Sequence, residues 1–319
     1  MTASRDVLIH SVGDPLPAVS AALGAVFRVT RDPDAAARGI AVSGGHASVD
    51  AAFAERFPAL EIVANSGVGY DHIDAAALAD RGIVVTNTPD VLTEEVADLA
   101  VGLLLATVRR LPQADRHVRT GMWPKGAFPL TPTLRGRTVG ILGLGRIGKA
   151  IARRLEGFGV EIEYHGREQQ AGVPYRYHAT VLDLATSCDV LIVTVPGGPS
   201  TKQLIRYETL EALGPDGILL NVARGSVVDE TALIRALQNR TILAAGLDAF
   251  EDEPRVPDAL IAMEQVVLLP HVGSGSEHTR LAMGRLMIDN LVSWFEGRGP
   301  LTPVPECVNT AGAAQRARR

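Results

Sequence analysis

At 319 residues the chain exceeds one typical domain and is long enough for two, each with its own core. Hydrophobic residues make up 46% and aromatic ones only 4%, so the core is Val, Leu, Ile and Ala, which suits strands buried on both faces between helices. A net charge of −5 argues against a nucleic-acid surface, and two cysteines, Cys188 and Cys307, exclude a disulfide framework and fit a reducing, cytoplasmic compartment.

No His/Cys ligand cluster surrounds either cysteine, so no metal is expected. The start, MTASRDVLIH, has too short an apolar stretch for a signal peptide. The most apolar helical stretch, AVGLLLATV at 100–108, falls well short of the roughly 20 residues that span a bilayer and predicts a buried helix, with no membrane contact.

In chain order, VLIH (7–10), GIAVS (39–43), LEIVANS (60–66) and GIVVTN (82–87) predict strands. Between them, VDAAFAERF (49–57) and DHIDAAALADRG (71–82) carry helical spacing of apolar positions. A long helix is expected from about Thr93, because TEEVADLAVGLLLATVRRL puts acids early and arginines late, matching the helix dipole. The Pro- and Gly-rich TGMWPKGAFPLTPTLRG (120–136) breaks that pattern. Strands resume with TVGIL, EIEYH, DVLIVTV, GILLNV, ILAAGLD and VVLLP, separated by KAIARRLEGF, QLIRYETLEAL and ETALIRALQNR. Repeated strand–helix units imply a parallel, doubly wound sheet. A last helix is expected over about 276–297, ended by PLTPVP, and the small basic tail 309–319 is expected to be disordered.

The string GLGRIG at 143–148 sits between the strand TVGIL and a helix, the setting in which Gly-x-Gly-x-x-Gly signals a dinucleotide site. Gly143 permits the tight turn, Gly145 lets backbone approach a pyrophosphate, and Gly148 lets helix pack on strand. Arg146 and Ile147 complete the turn, whose N–H groups and helix dipole would hold the phosphates.

Ligands of doubly wound sheets bind beyond the carboxyl ends of the strands. Three strand ends there, NVARG, GLDAFEDEP and LLPHVGS, deliver Arg224, Asp248, Glu253 and His271. These types suit reversible hydride transfer to a 2-oxo acid. A histidine is the usual donor of the proton that the developing alkoxide needs near neutrality. A carboxylate such as Glu253 would orient the ring and stabilise the imidazolium. Arg224 can grip a carboxylate through two parallel hydrogen bonds and polarise the neighbouring carbonyl.

The chain resembles the D-2-hydroxyacid dehydrogenase family over nearly its whole length. The resemblance lies in SGVGYDHID (66–74), TNTPDVLTEEVADLAVGLLL (86–105), GILGLGRIG (140–148), NVARGSVVDE (221–230), AGLDAFEDEP (245–254) and LLPHVGSGSEHTR (268–280). TPDVLTEEVADLA, the YHGR segment and HVGSGS look most like its glyoxylate/hydroxypyruvate reductase branch, which includes hydroxyphenylpyruvate reductases.

The resemblance implies an α/β fold of two parallel-sheet lobes with the active site between them, a Rossmann dinucleotide-binding domain (99–285) inserted into a flavodoxin-like substrate domain (1–98, completed by 286–319). It makes Arg224 the carboxylate and carbonyl ligand, His271 the general acid and Glu253 its partner. Backbone N–H groups of Val68 and Gly69 would hold the substrate carboxylate, and Asp248 would contact the nicotinamide carboxamide. Pro196, Val222 and Gly273 would also border the cofactor, and a homodimer would pair through the cofactor domain and the long helix.

This sequence departs from the family at TVPGGPST (194–201), where Pro-Gly-Gly-Pro replaces the usual Pro-Leu-Thr-Pro beside the cofactor. In SGGHAS (43–48), His46 either selects substrate or is an exposed loop residue. Trp123 and Phe128 either line the site, from this subunit or its partner, or pack the connector.

Cofactor choice turns on EIEYHGRE. The strand that normally ends in an acid, which accepts bonds from the adenosine ribose, ends here in His165, with Arg167 two residues on. Without that acid nothing repels a 2′-phosphate, and Arg167, flanked by His165, can bind it; NADPH is therefore expected in preference to NADH, which stays possible. The expected activity is reduction of small 2-oxo acids, glyoxylate and hydroxypyruvate first. Bulkier 2-oxo acids such as hydroxyphenylpyruvate or 2-ketogluconate are the alternative, and a dinucleotide-sensing corepressor is the reading from another class.

Overall fold

The computed structural model describes residues 6–44 and 48–310. His46 and residues 311–319 of the tail lie outside the described residues; Asn309 and Thr310, expected to be disordered with that tail, are placed in helical conformation, and the Thr310 hydroxyl donates to Ala79 O (3.4 Å). The chain divides into two compact units, one of Met1–Leu92 with Gly275–Arg319, the other of Thr93–Ser274.

The first unit runs β1 (Leu8–Gly13), α1 (Pro17–Val26), β2 (Arg28–Thr30), β3 (Gly39–Ser43), α2 (Ala51–Glu55), β4 (Ile62–Ser66), α3 (Ala75–Asp80) and β5 (Val84–Thr86). Its strands pair in parallel in the order β2-β1-β3-β4-β5, a flavodoxin-like arrangement. Asp50 and Asp74 cap α2 and α3 by accepting from Phe53 N (2.7 Å) and Ala77 N (3.1 Å), which explains where those helices begin. β2 and α1 escaped the sequence reading: β2 is three residues long and largely exposed, and α1 buries only Val19 and Leu23.

The second unit opens with α4 (Thr93–Arg109) and α5 (Leu111–Arg119). It continues through β6 (Thr138–Leu142), α6 (Arg146–Leu155), β7 (Glu161–His165), β8 (Arg176–His178), α7 (Val181–Ser187), β9 (Val190–Val193), α8 (Tyr207–Leu213), β10 (Ile218–Asn221), α9 (Glu230–Gln238), β11 (Ala244–Leu247), α10 (Asp258–Ile261) and β12 (Val266–Leu268). The seven strands are all parallel in the order β12-β11-β10-β9-β6-β7-β8. The chain winds outward from β6 through β7 and β8, then returns to β9 and winds the other way. The crevice at the ends of β6 and β9 is therefore the topological switch point. α11 (Glu277–Phe295) closes the order and belongs to the first unit, where Met287, Leu291 and Trp294 join its core.

Both unit boundaries lie earlier than the expected 98/99 and 285/286. The reason is that α4 and α11 are each one rigid element committed to one core. α4 buries Ala97, Ala100, Leu103 and Leu104 with the second sheet, and Arg154 of α6 pairs with its Asp98 at 2.6 Å and Glu94 at 2.8 Å.

The helix expected to run through Leu111 stops at Arg109, because Arg110 is left-handed (φ 51°) and Pro112 lies in the first turn of a new helix, α5. α8 begins four residues later than the apolar spacing predicts. Ile205 is taken by a parallel bridge to Val228, with its N–H donating to Val227 O (3.0 Å). β8 and α7 were not anticipated, since the intervening residues carry no sustained periodicity. Among the described residues no helix is long and apolar enough to cross a membrane.

Candidate active site

At the switch point, Gly143 follows β6 with φ 101°, donates its N–H to His165 O (2.9 Å), and leaves no room for a Cβ, which would meet Val195 Cγ1 at 2.8 Å. A Cβ on Gly148 would fall 2.2 Å from Gly143 O, so helix and turn touch through bare backbone. At Gly145, the N-cap of α6, a Cβ would meet nothing within 4 Å.

No side chain caps α6, and its first backbone bond is Lys149 N to Gly145 O. The N–H groups of Arg146, Ile147 and Gly148 therefore precede the helix's own bonding and face the open side of the turn. A glycine cradle, an uncapped helix end and a switch point fit a dinucleotide pyrophosphate.

The 2′ end of such a cofactor would meet the end of β7. There, His165 is half-buried and its Nδ1 donates to His178 O (2.8 Å), so Nε2 is its remaining polar atom. Arg167 and Glu168 are exposed, and Arg167 forms no ion pair among the described residues. In the departing segment, Pro196 is exposed and Gly198 takes φ 143°. The Thr201 hydroxyl donates to Pro196 O (2.7 Å), closing the loop into a turn that glycine permits.

The strand-end residues converge in the second unit. Arg224 follows β10 in extended conformation and donates Nη1–H to Ala223 O (2.8 Å). Its backbone is held by Asn221, whose Nδ2 donates to Arg224 O (2.9 Å) and whose Oδ1 accepts from Ala223 N (3.0 Å). Val222, half-buried between them, donates to Val193 O of the neighbouring strand.

Gly225 brings this turn against the acidic loop, for a Cβ there would lie 1.8 Å from the Phe250 carbonyl carbon. In that loop Glu253 Oε1 accepts from Phe250 N (3.0 Å) and Oε2 accepts from His271 Nδ1 (2.7 Å). A carboxylate can only accept, so Nδ1 carries the hydrogen and Nε2 is the nitrogen left to act elsewhere.

Burial opposes ionisation of Glu253. The His271 hydrogen bond, the Phe250 N–H and the charges of His271 and Arg224 outweigh it, and the carboxyl lies below its ordinary value. The involvement of Arg224 in that balance shows it to be electrostatically part of the pair's surroundings. His271 itself sits at φ 52°, a left-handed conformation that a non-glycine side chain adopts at an energetic cost and that recurs at functional sites.

Asp248 holds that conformation. It is buried, and its two oxygens accept from Val272 N and Gly273 N, each at 2.8 Å. Burial raises its carboxyl above the ordinary value, with those N–H groups and the His271 charge opposing. The structure thus gives Asp248 a supporting task beneath His271 that the sequence did not suggest. Asn221 was missed altogether, although an asparagine ending a buried strand one turn before an arginine was a usable signal.

In the first unit, Val68 and Gly69 lie half-buried in the loop that follows β4. Phe128 packs on the His117 ring at 5.5 Å and under Arg110 at 5.6 Å, so it packs the connector, while Trp123 is exposed. No group of metal-ligating side chains occurs among the described residues.

The fold and site define an α/β oxidoreductase built around a dinucleotide. Residues 101–273 match the model of the D-isomer specific 2-hydroxyacid dehydrogenase NAD binding domain. The chain is 49% identical over 263 residues to glyoxylate/hydroxypyruvate reductase A of Arabidopsis thaliana, covering 82% of this chain and 84% of that protein. It is 47% identical to hydroxyphenylpyruvate reductase of Plectranthus scutellarioides, with the same coverage, 82% and 84%. The crystal structure of NADPH-dependent glyoxylate/hydroxypyruvate reductase from Sinorhizobium meliloti, in complex with NADP and malonate, superposes with a TM-score of 0.90 at 53% identity, covering 94% of this chain and 97% of that one. The chain belongs to the D-isomer specific 2-hydroxyacid dehydrogenase family, in its glyoxylate reductase branch, and is an NAD(P)-dependent oxidoreductase.

Proposed function

We propose that this enzyme reduces small 2-oxo acids, glyoxylate and hydroxypyruvate, to their 2-hydroxy acids with NADPH. The observation that carries the reading is the 2.7 Å His271–Glu253 pair beside Arg224 at the ends of three parallel strands. Reduced nicotinamide, when bound, supplies the hydride. Arg224 grips the carboxylate and draws electron density from the carbonyl, and the Val68 and Gly69 amides contribute further carboxylate donors. His271 Nε2 gives its proton to the developing alkoxide, and Glu253, charged and hydrogen-bonded to Nδ1, stabilises the imidazolium beforehand.

Gly143, Gly145, Gly148 and the amides of Arg146 and Ile147 hold the pyrophosphate. Pro196, Val222, Asp248 and Gly273 border the nicotinamide end. Arg167, flanked by His165, takes the 2′-phosphate, and this supports NADPH over NADH. Exposed Leu111, Val118, Met122, Trp123 and Leu130, on or just after α5, support a homodimer formed through the second unit.

Initial rates with glyoxylate, hydroxypyruvate, hydroxyphenylpyruvate and 2-ketogluconate, each under NADPH and NADH, test the proposal. The highest kcat/KM is expected with glyoxylate or hydroxypyruvate and NADPH. A clear preference for the two bulkier acids would refute the substrate reading.

A further inference from the structure

The loop carrying Val68 and Gly69 is held by three successive carbonyls. Asn65, near the end of β4 and 2% exposed, donates through the two hydrogens of its Nδ2 to Gly67 O (3.1 Å) and Gly69 O (3.0 Å). Asn87, directly after the neighbouring strand β5, donates Nδ2 to Val68 O (2.9 Å), and Thr88 N–H adds a second donor to Gly67 O (2.9 Å). Asn87 is itself pinned, since its N–H donates to Thr302 O (3.2 Å) and its carbonyl accepts the Thr302 hydroxyl (2.6 Å).

In a planar trans peptide the carbonyl and the following N–H point to opposite sides. Drawing the carbonyls of Gly67, Val68 and Gly69 onto the two asparagines therefore turns the N–H groups of Val68, Gly69 and Tyr70 the other way. Consecutive amides aimed to one side form an anion-binding concavity.

We infer that Asn65 and Asn87 are positioning residues for the substrate carboxylate: by clamping the loop's carbonyls they aim its amides before substrate arrives. Neither side chain needs to touch substrate. The close packing at Gly67, where a Cβ would lie 3.3 Å from Asn65 Nδ2, keeps the clamp short. The inference rests on the proposed reduction of 2-oxo acids and deepens it, by assigning two residues to the preorganisation of one substrate contact.

Asn87→Ala removes one clamp at a half-buried position. Two readouts follow: NMR order parameters of the backbone amides of residues 68–70 in the enzyme with NADPH, and steady-state kinetics with glyoxylate. Lower order parameters are expected, with KM raised roughly tenfold, kcat lowered less, and the Kd for NADPH unchanged. Asn87→Ser keeps one donor of shorter reach and should fall between wild type and Asn87→Ala; it carries the test alone if the alanine variant does not fold. Unchanged order parameters would overturn the clamp itself. Lower order parameters with an unchanged KM would instead show that these amides do not hold the substrate, which overturns the reading on which the positioning role depends. A proportionate loss of NADPH affinity would mark the asparagines as merely structural and also overturn the inference.

Discussion

Gly225→Ala probes the junction between the arginine turn and the acidic loop. The added Cβ would lie 1.8 Å from the carbonyl carbon of Phe250, 2.0 Å from its oxygen and 2.3 Å from Glu251 N, all backbone atoms that cannot rotate away. Ordinary contact begins at 3.4 Å, so the two segments must part by about 1.6 Å. That displacement separates Arg224, the preceding residue, from the loop whose Phe250 N–H anchors Glu253 and through it His271.

A misplacement of about 1 Å in a reacting constellation lowers rate about a hundredfold. kcat/KM with glyoxylate should therefore fall at least that far. Overpacking of this kind typically costs about 1–3 kcal/mol, which lowers Tm by roughly 2–12 °C in a unit of this size. The glycine cradle lies elsewhere in the unit, so the Kd for NADPH should change by less than about threefold. Gly157→Ala, where a Cβ meets nothing within 4 Å, is the control and should be near neutral in both measurements. A folded Gly225→Ala enzyme with kcat/KM within threefold of wild type would refute the argument that these loops must touch.

Glu253→Gln should lower kcat with glyoxylate, because the ring bonded to it loses its counter-charge, and His271→Asn should cost far more in kcat; wild-type turnover in the glutamine variant would contradict the pairing. The carboxyl of Glu253 lies below its ordinary value of 4.5 in the folded state, so the stability it contributes as a carboxylate is lost as pH falls through the lowered value; the difference in unfolding free energy between wild type and Glu253→Gln should shrink as pH falls below about 4.5. Arg224→Lys keeps charge but loses the planar fork, so kcat should fall and KM rise by about tenfold or more with NADPH affinity little changed; loss of cofactor binding with intact turnover would place Arg224 in the cofactor site. Replacing Arg167 with Ala and His165 with Asp should shift preference toward NADH, and the wild-type preference for NADPH should weaken at high salt; equal use of NADH by the wild type would overturn the phosphate reading. Light scattering should give a dimer that Val118→Glu with Trp123→Glu dissociates, and an unchanged mass would remove α5 from the interface.

The sequence by itself determined the two parallel sheets, the cofactor turn and the residue types at the strand ends. Each of those signals is local: a strand buried on both faces is a continuous apolar run, a dinucleotide turn needs its glycines at fixed offsets, and in a parallel sheet whatever follows a strand lies at the same edge. Arg224, Glu253 and His271 were legible for that reason.

What only the tertiary structure decided is how those groups are held. Asp248 beneath His271 acts on backbone, through bonds to Val272 and Gly273 that join residues far apart in the chain. The Asn65 and Asn87 clamp depends on two neighbouring strands ending side by side, which sheet register sets and residue spacing does not. Short elements were lost for a related reason. β2, β8 and α5 have too few buried positions to show a period, and they exist because a core formed elsewhere in the chain offers them a place to pack or pair. The unit boundaries, too, were decided by packing, since a long helix goes whole to the core that buries most of its apolar face, whichever way its sequence could be divided.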